Sequence, residues 1–218
     1  ALFIKICGAV AFAHRALIVH RDLKPANVLV NANDEPKLLD FGIAKLVDDE
    51  STALTQTIAA GLTLRYAAPE QVLGDRTTTA TDVYALGVVL FELIARRSPY
   101  VAADVDGASW RDAIQRGDTH GLGTVLERSL LDDSERRQVA RELAPIMGKA
   151  MALSPSDRYS GVAAFADDLQ DWCEGRPFRS GIGTTSARLR MQLRRWRWPL
   201  LTATAATVAL TIGGVVAL

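Results

Sequence analysis

Val19–Gly42 reads VHRDLKPANVLVNANDEPKLLDFG, and this stretch decides the fold. Two short runs, Asn27–Val30 and Lys37–Leu39, bracket the turn-prone Asn31–Pro36. That pattern predicts a β-hairpin with a polar loop. Four polar residues, Asp22, Lys24, Asn27 and Asp40, stand among Leu23, Val28, Leu29, Val30, Leu38 and Leu39. The hairpin sets the first three before one strand and Asp40 after the other, so all four gather at one end. Two carboxylates, an amide and an amine at one point suit a divalent cation and a phosphate. The plainer alternative is a polar loop that only caps a hairpin. The order and spacing of the whole set speak against it.

Upstream, Leu2, Ile6, Ala9, Val10, Ala13 and Leu17 follow helical spacing and predict a core helix, with His14 at its boundary. Downstream, residues 43–67 lack periodicity and carry Ser51, Thr52, Thr55, Thr57 and Thr63. A segment of that length without structure is usually functional or mobile, and its hydroxyls are candidate phosphorylation sites. Any one of them read alone is a solvated loop residue. Ala68-Pro69-Glu70 closes the stretch. Asp82 then opens Val83–Ala95, apolar nearly all round, which predicts a buried helix too short to span a bilayer. Glu135–Ala152 is amphipathic, with Pro145 predicting a kink or break. Ser154–Asp157 is a turn, and Val162, Phe165, Ala166, Leu169 and Trp172 mark a last helix ended by Gly175 and Pro177.

The 218 residues suffice for a sizeable core, and 49% apolar and 23% charged residues are ordinary for a globular chain. The net charge of zero is unevenly spread. Seven Arg and no acid lie in residues 176–198, leaving 18 basic against 25 acidic residues before them. Cys7 and Cys173 sit far apart in helical patterns, which reads as reduced and structural, and no Cys/His spacing suggests zinc. The chain opens at Ala1 inside a helical pattern and closes inside an apolar run. It is therefore expected to be a piece of a longer protein.

HRDLKPAN (20–27), DFG (40–42), TLRYAAPE (63–70), DVYALGVVLFEL (82–93) and SPSDRY (154–159) resemble, in this order, the motifs of the eukaryotic-like (Hanks-type) protein kinases, most of all the bacterial membrane-anchored serine/threonine kinases. The resemblance covers about residues 1–175. It implies a mainly α fold, the C-terminal lobe of a kinase with a small β-hairpin. By that resemblance Asp22 is the catalytic aspartate and Lys24 lies near the transferred phosphate. Asn27 and Asp40 bind Mg2+ and so help to hold ATP. Gly42 gives the loop its backbone freedom. Arg21 receives a phosphorylated loop residue, with Thr52, Thr55 and Thr57 as candidates, whereas Thr63 faces the catalytic loop. Glu70 and Arg158 form a buried ion pair, Asp82 holds the backbone of the His20-Arg21-Asp22 turn, and His20 packs in the core. The Gly-rich phosphate loop, the strand lysine and its partner glutamate have no counterpart here, so the chain as written is expected to be inactive alone.

Residues 199–218, PLLTATAATVALTIGGVVAL, contain no charge and at 1.5 Å per residue extend about 30 Å. With the Arg-rich residues 176–198, Trp196 and Trp198 beside it, the segment predicts a single transmembrane helix after a basic juxtamembrane linker. The kinase lobe would then lie in the cytoplasm at the cell membrane, with the C-terminus outside. Partners expected on this reading are protein substrates with Ser/Thr acceptors and the lipid bilayer, with no nucleic acid. The small-residue ridge Ala205, Ala209, Gly213 and Ala217 leaves a homodimer open. The alternative function is a kinase-derived, membrane-tethered interaction module without catalysis.

Overall fold

The computed structural model describes residues 1–40, 64–100, 107–117, 119–122, 125 and 132–182. Helix α1, Leu2–Arg15, buries Ile6, Cys7, Val10 and Ala13 along one face. Its end is a Schellman closure: the N–H of Ile18 donates to Ala13 O at 3.0 Å and that of Leu17 to His14 O at 2.9 Å. Leu17 takes the left-handed position at φ 62 that glycine usually fills. It therefore leaves the helical stripe predicted for it and stands 94% exposed.

A 3-10 turn, Pro25–Asn27, leads into β1, Val28–Val30, which pairs antiparallel with β2, Pro36–Leu38. The register sets Val28 against Leu38 and Val30 against Pro36. The hairpin thus begins one residue later on its first strand than the apolar run implies, because Asn27 is used in the turn. Pro36 is tolerated because, among the described residues, β2 pairs with β1 alone and needs no second ladder.

Helix α2, Pro69–Leu73, is a single short element stopped by Gly74 at φ 76. Helix α3, Thr79–Ala95, is the axis of the lobe. Thr78 caps it, accepting from the Ala80 N–H, and every residue from Thr81 to Phe91 is buried. The sequence places the helix start at Asp82; the cap lies a turn earlier because Thr78 and Thr81 satisfy each other's free N–H groups. Helix α4 is Gly107–Arg116 and helix α5 is Asp133–Ala150, running unbroken through Pro145. After a 3-10 turn at Pro155–Asp157, helix α6 spans Val162–Cys173.

One face of α3, with Val83, Leu86 and Leu90, joins Ile6 and Val10 of α1, Leu143, Ile146 and Met147 of α5, and Phe165 and Leu169 of α6 in the main core. The other face, with Tyr84 and Val88, packs on Ala68, Tyr100, Ala113 and Ile114. A helix enclosed on both faces must be apolar all round, as this one is. Gly87 lets α3 lie close against the end of α5: an added Cβ would lie 2.8 Å from Met151 Cγ and 3.0 Å from Ala150 Cβ. Gly148, on the exposed side of α5, has nothing within 4 Å of that position. Denaturant melts should therefore separate the two glycines. Gly148→Ala should gain about 0.5–1 kcal/mol of helix propensity. Gly87→Val should lose about 1–3 kcal/mol through overpacking. Equal effects would contradict the close approach.

Cys7 is buried and Cys173 exposed, both as free thiols, and burial pushes the Cys7 thiol up to about 12, so it is inert at neutral pH. Beyond α6, Phe178 is buried in the main core and the Ser180 N–H donates to Asp168 Oδ1 at 3.1 Å. The first residues of the Arg-rich stretch thus pack on α6.

The transmembrane helix in the expected fold class needs correction. Among the described residues no helix is long and apolar enough to cross a membrane. The 18-residue α5 carries Glu135, Arg137, Arg141, Glu142 and Lys149. The far more apolar α3 has 17 residues, and its apolar surface is already used against α1, α5 and α6. The observed fold is a helical lobe with a two-stranded sheet. Residues 199–218, which carried the expectation, lie outside the described residues, and the lipid bilayer as partner has no support from the described helices.

Candidate active site

The segment between α1 and the hairpin is fixed from α3. Asp82, fully buried in the first turn of α3, accepts from the backbone N–H of His20 through Oδ2 at 2.8 Å and of Arg21 through Oδ1 at 2.9 Å. His14 Nε2 lies 2.7 Å from the same Oδ2. A buried carboxylate at a helix N-terminus is favoured by the dipole and tolerated only when hydrogen-bonded, and both conditions hold. The His20 ring, itself fully buried, meets Leu39 O through Nε2 at 3.0 Å and so ties this segment to the residue after β2. Arg21 adopts φ 66, a left-handed conformation that costs a non-glycine residue about 1–2 kcal/mol and persists only where neighbours impose it.

Asp22, Lys24, Asn27 and Asp40 are brought to one end of the hairpin. Lys24 Nζ is 2.8 Å from Asp22 Oδ2. The buried Asn27 donates through Nδ2 to Asp22 O at 2.8 Å and to Asp22 Oδ2 at 3.1 Å. The Leu39 N–H donates to Asn27 O at 2.9 Å, continuing the ladder by one pair, so Asp40 is the next residue beyond the level of Asn27. Asp40 is exposed at φ 48, a backbone that Asp adopts more readily than most residues.

This arrangement fits a Mg2+ ion. Both Nδ2 hydrogens of Asn27 face oxygens of Asp22, which leaves Oδ1 as the amide atom with a lone pair for a cation. Asp40 offers an exposed carboxylate at the same end. Mg2+ is typically held by one or two protein oxygen ligands with water and phosphate completing the octahedron. Among the described residues no group of three or more His, Cys, Asp or Glu side chains forms a cation cage. An amide and a carboxylate holding a cation whose other ligands are water and phosphate would need none.

Behind the site, Arg158 and Glu70 form a bidentate pair, Nη1–Oε1 and Nη2–Oε2 both at 2.7 Å, although 88 residues separate them. The other donors of Arg158 reach Ala152 O, Ala80 O and Leu153 O at 2.8–3.0 Å, so all five N–H groups are used. The guanidinium also lies 4.8 Å from the Tyr84 ring centroid. Burial alone would raise the Glu70 carboxyl; the Arg158 bonds, its backbone bond and the Thr81 hydroxyl outweigh that and hold it below the usual carboxylate range.

Three residues to which the sequence gives no part in the site belong to this framework. His14 was read as a boundary residue, yet it reaches Asp82 across 68 positions of sequence, a distance at which no local pattern signals a partner. Glu92 accepts from the Tyr66 hydroxyl and pairs with Arg65. Gln71 joins Ala68 to Arg21. Its Oε1 accepts from the Ala68 N–H as in a capping box, but Ala68 lacks the side-chain acceptor that makes such a box legible in a sequence. Gly42, Thr52, Thr55, Thr57 and Thr63 lie outside the described residues. The Arg21 guanidinium has no ion pair among the described residues.

A model of the protein kinase domain matches residues 1–170. The chain belongs to the protein kinase family. Three similar curated proteins are bacterial kinases. A probable serine/threonine-protein kinase of Corynebacterium efficiens is 35% identical over 169 residues, 78% of this chain and 24% of the relative. The serine/threonine-protein kinase PknB of Mycobacterium tuberculosis is 32% identical over 171 residues, 78% of this chain and 25% of the relative. A probable serine/threonine-protein kinase of Streptomyces coelicolor is 32% identical over 184 residues, 84% of this chain and 25% of the relative. The chain thus spans about a quarter of the length of the curated relatives it matches. These similarities support the Hanks-type bacterial branch that the motifs resemble.

Proposed function

We propose that this chain is the catalytic-loop portion of a serine/threonine protein kinase that transfers the γ-phosphate of ATP to Ser or Thr hydroxyls of proteins with Mg2+. The observation that carries the reading is the Asp22 carboxylate held between Lys24 Nζ and Asn27 Nδ2 at the mouth of the hairpin. Asp22 would orient the acceptor hydroxyl and hold its proton. Lys24 would offset negative charge gathering beside Asp22. Asn27 Oδ1 and the Asp40 carboxylate would hold Mg2+, which when bound with ATP neutralises phosphate charge. Phosphoryl transfer asks for positioning and charge more than for covalent help, and this end of the lobe offers both. Regulation through Arg21 receiving a phosphorylated Thr52, Thr55 or Thr57 is part of the proposal, supported by its guanidinium having no ion pair among the described residues.

The test uses the full-length protein of which this chain is a part, given labelled ATP, Mg2+ and a Ser/Thr-rich acceptor protein. Phosphoserine or phosphothreonine should form, on the acceptor or on the protein itself, and a chelator should stop it. No incorporation under any of these conditions would overturn the enzyme reading and favour a non-catalytic interaction module.

A further inference from the structure

The left-handed Arg21 immediately precedes Asp22, and its backbone is held from two directions. Its N–H is taken by Asp82. Its carbonyl accepts from Gln71 Nε2 at 2.8 Å. That carbonyl belongs to the peptide unit that also carries the Asp22 N–H, so its direction sets the plane from which Asp22 departs. The next carbonyl, that of Asp22 itself, accepts from Asn27 Nδ2 at 2.8 Å. The peptide units on either side of Asp22 are therefore oriented by two side-chain amides, Gln71 before it and Asn27 after it. Gln71 is half-buried on α2, and its Oε1 accepts from the Ala68 N–H at 3.1 Å. One amide thus spans the start of α2 and the peptide unit entering Asp22.

We propose that Gln71 is a positioning residue for Asp22: it holds the Arg21–Asp22 peptide in the orientation that the left-handed Arg21 requires, and it ties that orientation to the start of α2. The inference rests on the kinase reading for its effect on rate, but not for its effect on the backbone. Without the Gln71 donor, the Arg21 carbonyl loses the partner that directs it, and Arg21 is free to relax toward ordinary backbone angles. Asp22 would then lie off its productive position, a kind of displacement that costs rate far more than binding.

Two variants in the full-length protein separate this from plain stability. Gln71→Glu is nearly isosteric and keeps an acceptor for the Ala68 N–H, but sets a carboxylate oxygen against the Arg21 carbonyl. Gln71→Met removes both bonds and adds no charge. For both, kcat should fall at least about tenfold while KM for ATP and acceptor stays within about twofold. Amide hydrogen exchange at Arg21 and Asp22 should rise about tenfold or more, with Val83–Phe91 unchanged; the Ala68 amide should rise only in Gln71→Met. Unchanged exchange at Arg21 and Asp22 overturns the proposal whatever happens to kcat. So does a kcat within about twofold of wild type, or exchange rising equally throughout the lobe. If wild type transfers no phosphate, the kinase reading fails, and exchange alone decides the role of Gln71.

Discussion

Asp22→Asn in the full-length protein should abolish measurable phosphate transfer and leave the lobe folded. Asn has nearly the same shape as Asp, so the side-chain oxygen can still accept from Asn27 Nδ2, and the Asp22 backbone carbonyl still accepts from the same group. What disappears is the negative charge. With it go the 2.8 Å ion pair to Lys24 and the only carboxylate in the cluster within hydrogen-bond reach of Asn27 and Lys24 together, among the described residues. A positioned base contributes about 10²–10⁴ in rate. Loss of a half-exposed charge pair costs the fold about 1 kcal/mol or less. The two effects are therefore well separated. The expected result is a rate fall of at least about a hundredfold with a melting temperature shifted by no more than a few degrees. Near-normal transfer would remove Asp22 from the reaction.

The second large effect is on stability. Arg158→Ala leaves Glu70 buried without its bidentate partner and deprives three backbone carbonyls of donors, those of Ala80, Ala152 and Leu153. Removing one side of such a pair costs about 3–5 kcal/mol. Arg158→Lys should recover little of it. An ammonium has three donors and no planar fork, whereas this site uses five. Acid should imitate the loss. The Glu70 carboxyl titrates below its ordinary range in the folded lobe, so its contribution is present in full above the unfolded value near ~4.3 and fades as pH falls through the lower folded value. Wild-type stability should thus decline below about pH 4 in part through Glu70, and Arg158→Ala should blunt that share of the decline. A melting temperature that Arg158→Ala leaves unchanged would count against the pair.

Local pattern and long-range geometry were unequally legible. The hairpin was readable because apolar runs and turn residues are neighbours in sequence, and its pairing then follows from a short loop. Helix α3 was readable because a segment enclosed on two faces must be apolar throughout. Partners far apart in the chain were another matter. Nothing local in Ser154–Tyr159 points to Glu70; only the resemblance suggested it. His14 on Asp82 and Gln71 on Arg21 had no such guide, since a lone polar residue on a helix looks the same whether it meets water or a peptide 50 or 68 residues away. The expected membrane span came from the charge-free run 199–218 and its Arg and Trp flanks, a segment outside the described residues, while among the described residues no helix is long and apolar enough to cross a membrane.

The packing of α1 on α6 has a consequence in time. Phe3 meets Phe165 edge to face with ring centroids 6.1 Å apart, so the first helix finds its cover in the last. On the ribosome the earlier helix emerges on the order of ten seconds before the later one, at ~5–20 residues per second. Throughout that interval Phe3 lacks its edge-to-face partner, and α1 has only β2 and α3 to close upon. Part of the surface of α1 is thus left to wrong partners until α6 has been made, and a stop codon anywhere before Phe165 would release a product that cannot finish this core.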